Sequence, residues 1–362
     1  MSDVINTEII IVGGGIGGLA AALALANIDK HVCVLEQAAE IAEIGAGIQL
    51  GPNVYKMSVI EIPAGKQFKQ QFGFPYAVIH RADLHGVLLK KCQTSDKIEL
   101  RTGAKVTGIE ESDTGTSVTT EQGLRVNGDA LVGADGIWST IRQHVVGDGD
   151  ARVSGHVAYR AVIRLRWNSM CLWAGEKSHL VQYPMRGGEL FNLVAVFHSD
   201  KFTQGWNDFG DNEELEHRFA GKCPEVLSLI GKIESWRMWV LSDREPTRDW
   251  VKGRITLLGD AAHPMLQYLA QGANMAIEDA ICLADMLVNE NGDYAKAFIR
   301  YRDARYLRTT RVQMQARLYG EIYHASGAVR DFRNDELASR SDEKFYTGMS
   351  WLYDIKPSWR DQ

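Results

Sequence analysis

The segment from Glu8 to Gln37, "EIIIVGGGIGGLAAALALANIDKHVCVLEQ", constrains the fold of this chain more than any other stretch. The run from Glu8 to Val12 is β-branched after its first residue, the pattern of a buried strand. Gly13, Gly15 and Gly18 follow in G-x-G-x-x-G spacing. The first glycine permits a tight turn, the second lets a phosphate approach the backbone, and the third lets helix and strand pack closely. The spacing then predicts a helix from Ile16 to about Asn27, whose unpaired N–H groups would face a pyrophosphate. A second strand, Val32 to Leu35, ends in Glu36, where a carboxylate can accept hydrogen bonds from a ribose hydroxyl. A glycine-rich turn alone also serves plain packing. Strand, helix, strand and terminal acid together predict a dinucleotide site.

The acid suits either of the two common dinucleotides, and the next loop separates them. "EIGAGIQLGPN", Glu43 to Asn53, brings Gly45, Gly47 and Gly51, which would let backbone run against a flat ring system. A simple nicotinamide dehydrogenase has no need of such a loop here, so FAD is expected, against the reading of an ordinary turn-rich connection. The rest of the composition excludes several classes. With 362 residues and 45% hydrophobic content, the chain can bury a large core in two lobes. Its 46 acidic against 40 basic residues leave no electrostatic footprint for nucleic acid. No apolar run is long enough for a bilayer, and the start "MSDVINTE" lacks signal-peptide organisation. Cys33, Cys92, Cys171, Cys223 and Cys282 are scattered and form no CxxC pair. That usage suits reduced thiols in a cytoplasm and argues against disulfides or a structural zinc; no metal ligands are assigned.

Two more segments read as strand, turn and helix. In "DALVGADGIWSTIR", Asp135-Gly136 makes the turn and Ser139 is a candidate N-cap. In "RITLLGDAAHPMLQYLAQGANMAIEDA", a strand ends at Gly259-Asp260 and a helix is expected from Asn274 or Met275. Ile277, Ile281, Ala284 and Leu287 are its expected core-facing positions. Asp260 can accept from a sugar-like hydroxyl chain, and Gly272 and Ala273 let the helix N-terminus approach a ligand edge that gains negative charge on reduction. The other reading is a corner whose aspartate merely caps.

Gly13–Gly18, Asp135-Gly136 and Gly259-Asp260 together resemble the signature trio of the single-component FAD-dependent aromatic hydroxylases. "HLVQYPMRGGE", "HPMLQYLAQGANMAIEDA" and "LYGEIYHASGAVR" narrow the likeness to 3-hydroxybenzoate 6-hydroxylases, with salicylate hydroxylases as near relatives. The resemblance implies an α/β fold: a Rossmann-like FAD-binding domain, an interleaved β-sheet substrate domain and C-terminal helices. The boundaries expected are 1–150 and 251–290 for the FAD-binding parts, 151–250 for the sheet and 291–362 for the helices. It implies cofactor contacts at Gly47, Ile48, Arg81 and Val106, besides Gly13, Gly15, Gly18, Glu36, Asp135, Asp260, Gly272 and Ala273. NADH or NADPH would reduce FAD, O2 would add at C4a, and the terminal hydroperoxide oxygen would pass to an electron-rich ring. The partner implied is a small aromatic acid, most simply 3-hydroxybenzoate giving gentisate, with salicylate or a hydroxypyridine carboxylate as alternatives. A flavin-binding protein without hydroxylation is the reading from another class.

Candidates for the chemistry lie on "SHLVQYP" and after Asp260. His179 and Tyr183 are four apart, so an unbroken strand points both to one face. His179 is read as proton acceptor or hydrogen-bond partner for a phenol, against a structural histidine. Tyr183 is read as a substrate hydrogen bond, against core packing. Gln267 matches a substrate-facing family position, and His263 is read as structural. Arg160 and Arg244 are the candidate cations for a carboxylate, and each could equally pin a joint between lobes. Two junctions, Met57-Ser58 and the one near Trp167, are abrupt against the family pattern. The C-terminal arginines (Arg300, Arg302, Arg305, Arg308, Arg311 and Arg317) are expected on a solvated helix or a subunit contact, and a homodimer is expected.

Overall fold

The computed structural model of the protein describes residues 4–41, 47–52, 66–165, 170–200, 208–339 and 341–354. Gly45, Asn53 and both abrupt junctions lie outside the described residues. The first sheet runs Val251–Lys252, Ile255–Leu257, Ala130–Gly133, Ile9–Val12, Val32–Leu35 and Ile98–Arg101, in that spatial order. All its pairings are parallel except the outermost one at Val251. Parallel strands covered on both faces have no polar face, which is why Ile9, Ile10 and Ile11 run without alternation and are fully buried. Helix Ile16–Ala26 crosses from strand Ile9–Val12 to strand Val32–Leu35 and lies against helix Gly272–Asn289. Its alanines bring the two helices close: a side chain at Gly17 would meet Leu258 at 3.0 Å and Ala276 at 3.2 Å.

The second sheet is antiparallel, in the order Cys171–Gly175, Ser178–Met185, Leu190–His198, Arg152–Ile163, Arg237–Asp243 and Asp208–Phe209. Here side chains do alternate. Val157, Tyr159, Leu180, Leu193, Ala195 and Phe197 pack under helices Asn212–Phe219 and Pro224–Ile230. Ala158, Val181, Val194 and Val196 face the opposite way, toward Leu266, Tyr268 and helix Tyr294–Tyr323. One face is therefore sealed by short helices, while the other looks toward the first sheet. A third sheet of four strands begins with Val4–Asn6, and a two-stranded ribbon joins Gly47–Leu50 to Ala77–His80.

Two expectations need correcting. Helix Gly272–Asn289 starts two to three residues earlier than expected, so Gly272 and Ala273 are its first residues rather than its approach. Ile277, Ala284 and Leu287 are buried as expected, but Ile281 is only partly so. The second correction concerns the C-terminal arginines. Arg305 is fully buried, with Nη1 2.6 Å from Glu278 and Nε 2.6 Å from Asp279. Arg308 also donates to Glu278, and Arg317 to Asp243 and Glu245. A six-arginine pattern that looks solvated is in part an inward-facing ionic clamp, because the acids that meet it lie about 30 or 70 positions earlier in the chain. All five cysteines are free, and among the described residues no helix is long and apolar enough to cross a membrane.

Burial pushes the Asp279 carboxyl up, but His263 and Arg305 outweigh it and hold its pKa down at about 2. Because the folded value lies below the unfolded one, this carboxylate stabilises the fold fully above about pH 4. That contribution is lost as pH falls toward 2. Removing one member of such a buried group leaves the others unpaired, so Arg305→Ala is expected to lose about 3–5 kcal/mol at pH 7. Urea unfolding of the FAD-loaded protein measures it. The same titration below pH 4 should fall less steeply in Asp279→Asn than in wild type.

Candidate active site

The three glycines of the first turn are each required for a different reason. Gly13 holds φ at +111°, and a Cβ there would meet the Ala134 carbonyl oxygen at 2.3 Å. A Cβ at Gly18 would meet the Gly13 carbonyl oxygen at 1.9 Å. At Gly15 it would meet nothing within 4 Å, because this residue opens on a cavity. Glu36 braces the turn: its carboxylate accepts from the Gly14 N–H at 2.7 Å and from the Ala38 N–H at 2.8 Å. Gly13, Gly18 and Glu36 thus shape the turn from behind, and Gly15 presents it.

The cavity has a volume of about 440 Å³, inside the range of roughly 300–1,000 Å³ for small-molecule sites. It lies between the first sheet and the open face of the second. Two helix N-termini point into it. Helix Ile16–Ala26 starts at Gly15 and helix Gly272–Asn289 at Gln271; neither has a side-chain cap or an acid in its first turn. Uncapped N–H groups and aligned peptide dipoles at both ends favour an anion or a developing negative charge. Ala270, just before the second helix, lines the same cavity and holds a left-handed φ of +52°.

Asp260, Gly272 and Ala273 line this end, as do Ile48 and Arg81. Asp260 is exposed only toward the cavity and is otherwise surrounded by protein, which pushes its carboxyl up. Its turn is held by Asp279, which accepts from the Gly259 N–H at 3.0 Å. His263 lies in that same buried knot, with Nε2 2.6 Å from Asp279. Asp135 is not among the cavity residues. Its carboxylate accepts from Ser139 Oγ and from the N–H groups of Thr140 (2.8 Å) and Ile141 (3.2 Å). Ser139 in turn caps helix Thr140–Val145 through the Arg142 N–H. Asp135 therefore shapes a turn that presents Gly136 and Trp138 to the cavity. Val106 is packed in the core, 5% exposed, and does not line the cavity either.

The other end is the face of Ser178–Met185. His179, Val181 and Tyr183 all line the cavity that holds Gly272, so the four-residue spacing does put both polar side chains on the inner side. Tyr183 accounts for Gly47: a Cβ there would meet the tyrosine ring at 2.3 Å. Gly47 packs against this ring and also lines the cavity where a cofactor contact is expected of it. Burial pushes the Tyr183 hydroxyl up to about 12 and His179 down to about 3. His179 Nδ1 is 2.7 Å from His324 Nε2, which leaves Nε2 as its free ring nitrogen. Gln267, on the short turn Gln267–Leu269, accepts from Arg160 Nη2.

The two candidate arginines separate. Arg244 is buried and donates to the Ile137 and Gly149 carbonyls and to Asp148, a structural joint. Arg160 lines the cavity beside Trp239, and its Nε has no hydrogen-bond partner among the described residues. Burial lowers its guanidinium to about 10, still charged at neutral pH. Sequence reasoning assigned nothing to His324, Tyr268 or Trp239. Each lies far in sequence from the residue it touches, and no local spacing marks it.

An open second glycine, two bare helix ends and an acid beside one of them fit a dinucleotide whose ring head lies at Gly272. The comparisons with known proteins agree. The FAD binding domain family matches residues 60–315, and the Thi4 family matches residues 1–102. The 3-hydroxybenzoate 6-hydroxylase of Polaromonas naphthalenivorans (strain CJ2) is 45% identical, over 96% of each chain. 3-Hydroxybenzoate 6-hydroxylase 1 of Aquipseudomonas alcaligenes is 43% identical over 96% of this chain and 98% of that one. The first alignment runs to 384 positions against 362 residues here, so that relative carries residues this chain lacks. Among solved structures, Klebsiella pneumoniae HpxO complexed with FAD and uric acid superposes with a TM-score of 0.83 at 25% identity, covering 95% of each chain. On this sequence and this geometry, the chain belongs to the FAD binding domain family, as one of its flavoprotein aromatic hydroxylases.

Proposed function

We propose that this chain is an FAD-dependent, NAD(P)H-consuming monooxygenase that hydroxylates 3-hydroxybenzoate para to its hydroxyl, giving gentisate. One observation carries this reading: a single cavity joins the open glycine turn to His179, Tyr183 and Gln267. The activity named for the relatives at 43–45% identity supports the choice of acid. When bound and reduced, the flavin activates O2 and delivers one oxygen atom to the ring. The chain's own residues do the rest. The two bare helix ends hold the pyrophosphate and favour negative charge at the ring edge. Asp260 accepts from the hydroxyl chain between them.

His179 Nε2 meets the phenol hydroxyl. Its ring is neutral at physiological pH because burial holds the pKa near 3, so it accepts a hydrogen bond and draws the phenol proton without storing it. Tyr183 stays protonated and donates to a substrate oxygen. Arg160 meets the carboxylate with the Nε that has no partner among the described residues, and Gln267 holds that guanidinium in place. A cytoplasmic homodimer completes the reading. Free cysteines suit a reducing compartment. Leu307, Met314 and Leu318 form an exposed apolar stripe on helix Tyr294–Tyr323 for a second copy, which light scattering tests.

An aerobic assay with 3-hydroxybenzoate and NADH, with chromatographic identification of the product, tests the reaction. Gentisate supports it; release of CO2 from salicylate in preference, or H2O2 as the only product from every phenol, overturns it. Gly15→Ala is expected to keep the fold but lower FAD retained per chain, since its methyl group occupies open cavity and not protein. Asp260→Ala should do the same, and normal flavin occupancy in either variant contradicts the assigned role. His179→Phe should slow product formation by about 10²–10⁴-fold with FAD content unchanged. Because the His179 pKa is lowered, its accepting form persists as pH falls from 8 to 5. In wild type, kcat/KM for product is therefore expected to show no His179-dependent fall near pH 6.5.

A further inference from the structure

Behind His179, away from the flavin end, lies a cluster that the hydroxylation does not use. Strand pairing sets His156 directly opposite His198, and His324 caps the C-terminus of helix Tyr294–Tyr323 above them. Their ligand atoms all lie within 4.8 Å of one another. We propose that His156, His198 and His324 form a binding site for a divalent transition metal of the zinc class, and that filling it switches off His179 as a proton acceptor.

The argument starts from the ring nitrogens. His324 is more than nine-tenths buried, and its Nδ1 has no hydrogen-bond partner among the described residues. A buried nitrogen left bare costs stability unless something meets it. Its Nε2 is already engaged, 2.7 Å from His179 Nδ1. His156 repeats the arrangement: Nδ1 is 2.8 Å from the Tyr268 hydroxyl, and Nε2 turns to His198 Nε2 at 2.6 Å. Metal-ligating histidines characteristically donate their second ring N–H to an outer partner. His156 has that partner in Tyr268 and its other nitrogen turned to His198, while His324 has its partner in His179 at Nε2, which leaves Nδ1 for the metal. His198 is exposed and gives the metal its way in, with water completing the coordination.

Zinc–nitrogen bonds of about 2.0–2.1 Å put tetrahedral ligand nitrogens roughly 3.4 Å apart. The 2.6 Å pair must therefore open and the wider spacing close, each by about an ångström. Imidazole nitrogens without carboxylates or thiolates suit zinc, copper or nickel rather than magnesium or calcium. Glu321 and Asp200 act on His198 electrostatically against Lys177 and Arg218.

The consequence runs through one hydrogen bond. Bound through Nδ1, His324 must carry its proton on Nε2 and donate it to His179 Nδ1. Neutral His179 then carries its own proton on Nε2, the nitrogen assigned to the phenol, and presents a donor where an acceptor is needed. Metal–nitrogen bonds form, one proton passes from Nδ1 to Nε2 on each of His324 and His179, and neither the proton count nor any oxidation state changes. This second half rests on the proposed function, while the metal site itself does not.

Calorimetric titration of the FAD-loaded full chain with ZnCl2 at pH 7.5 tests the site. One zinc per chain is expected in wild type and in His217→Ala, an exposed histidine outside the cluster. His198→Ala should bind at least ten-fold more weakly, while keeping its FAD and its hydroxylation rate in metal-free buffer. No binding by wild type, or undiminished affinity in His198→Ala, overturns the site. At saturating zinc, gentisate formation should fall at least ten-fold in wild type but not in His198→Ala. Tight binding with no inhibition overturns the link to His179, and absence of hydroxylation in metal-free buffer overturns the proposed reaction while leaving the calorimetry to decide the site.

Discussion

Asp279 accepts from the Gly259 N–H, from His263 and from Arg305, each at 2.6–3.0 Å, and is itself fully buried. Those donors belong to the G-D turn, the loop after it and the long C-terminal helix, while the carboxylate belongs to the helix whose N-terminus enters the cavity. A charge taken this far from water survives only if its oxygens are met by donors in good geometry. Once they are, the four elements hold one arrangement, because moving any of them strands the carboxylate. Asp260 and Gly272 take their positions in the cavity from this buried carboxylate.

The two sheets supply what the carboxylate cannot, a wall on each side. The parallel sheet ends in turns, so it offers backbone N–H groups and helix dipoles; the antiparallel sheet offers alternating side chains. Cofactor binding and substrate chemistry accordingly use different currencies of interaction. Gly15 and the two bare helix ends present main chain to the cavity, whereas His179, Tyr183 and Arg160 present side chains to it from one face of a strand layer. Gly47 joins the two, since its missing side chain is the space that the Tyr183 ring fills.

His179 has its behaviour set from behind. Its Nδ1 contacts His324, and the rings of Tyr268 and Tyr323 lie within 5.6 Å of its own. This surrounding is aromatic and buried, which keeps the imidazole neutral, and His324 is the neighbour that sets its tautomer. A histidine so placed responds to what happens on the far side of that neighbour, and the cluster of His156, His198 and His324 is what lies there.

The sequence by itself determined the elements whose cause is local. Gly13 and Gly18 declare a turn because only glycine tolerates their contacts and, at Gly13, that φ. The unbroken run at Ile9 declares a parallel strand, and a four-residue step declares that His179 and Tyr183 share a face. Tertiary structure decided the rest. Asp135 turned to cap a helix, Val106 went into the core, and Arg305 met acids 26 and 27 positions earlier rather than water. His324 reached His179 across 145 positions. Backbone sterics and strand periodicity act over a few residues and leave a mark in the sequence. The partner of a buried charge or a ring nitrogen is chosen by the closing of the chain, and a single sequence carries no record of that choice.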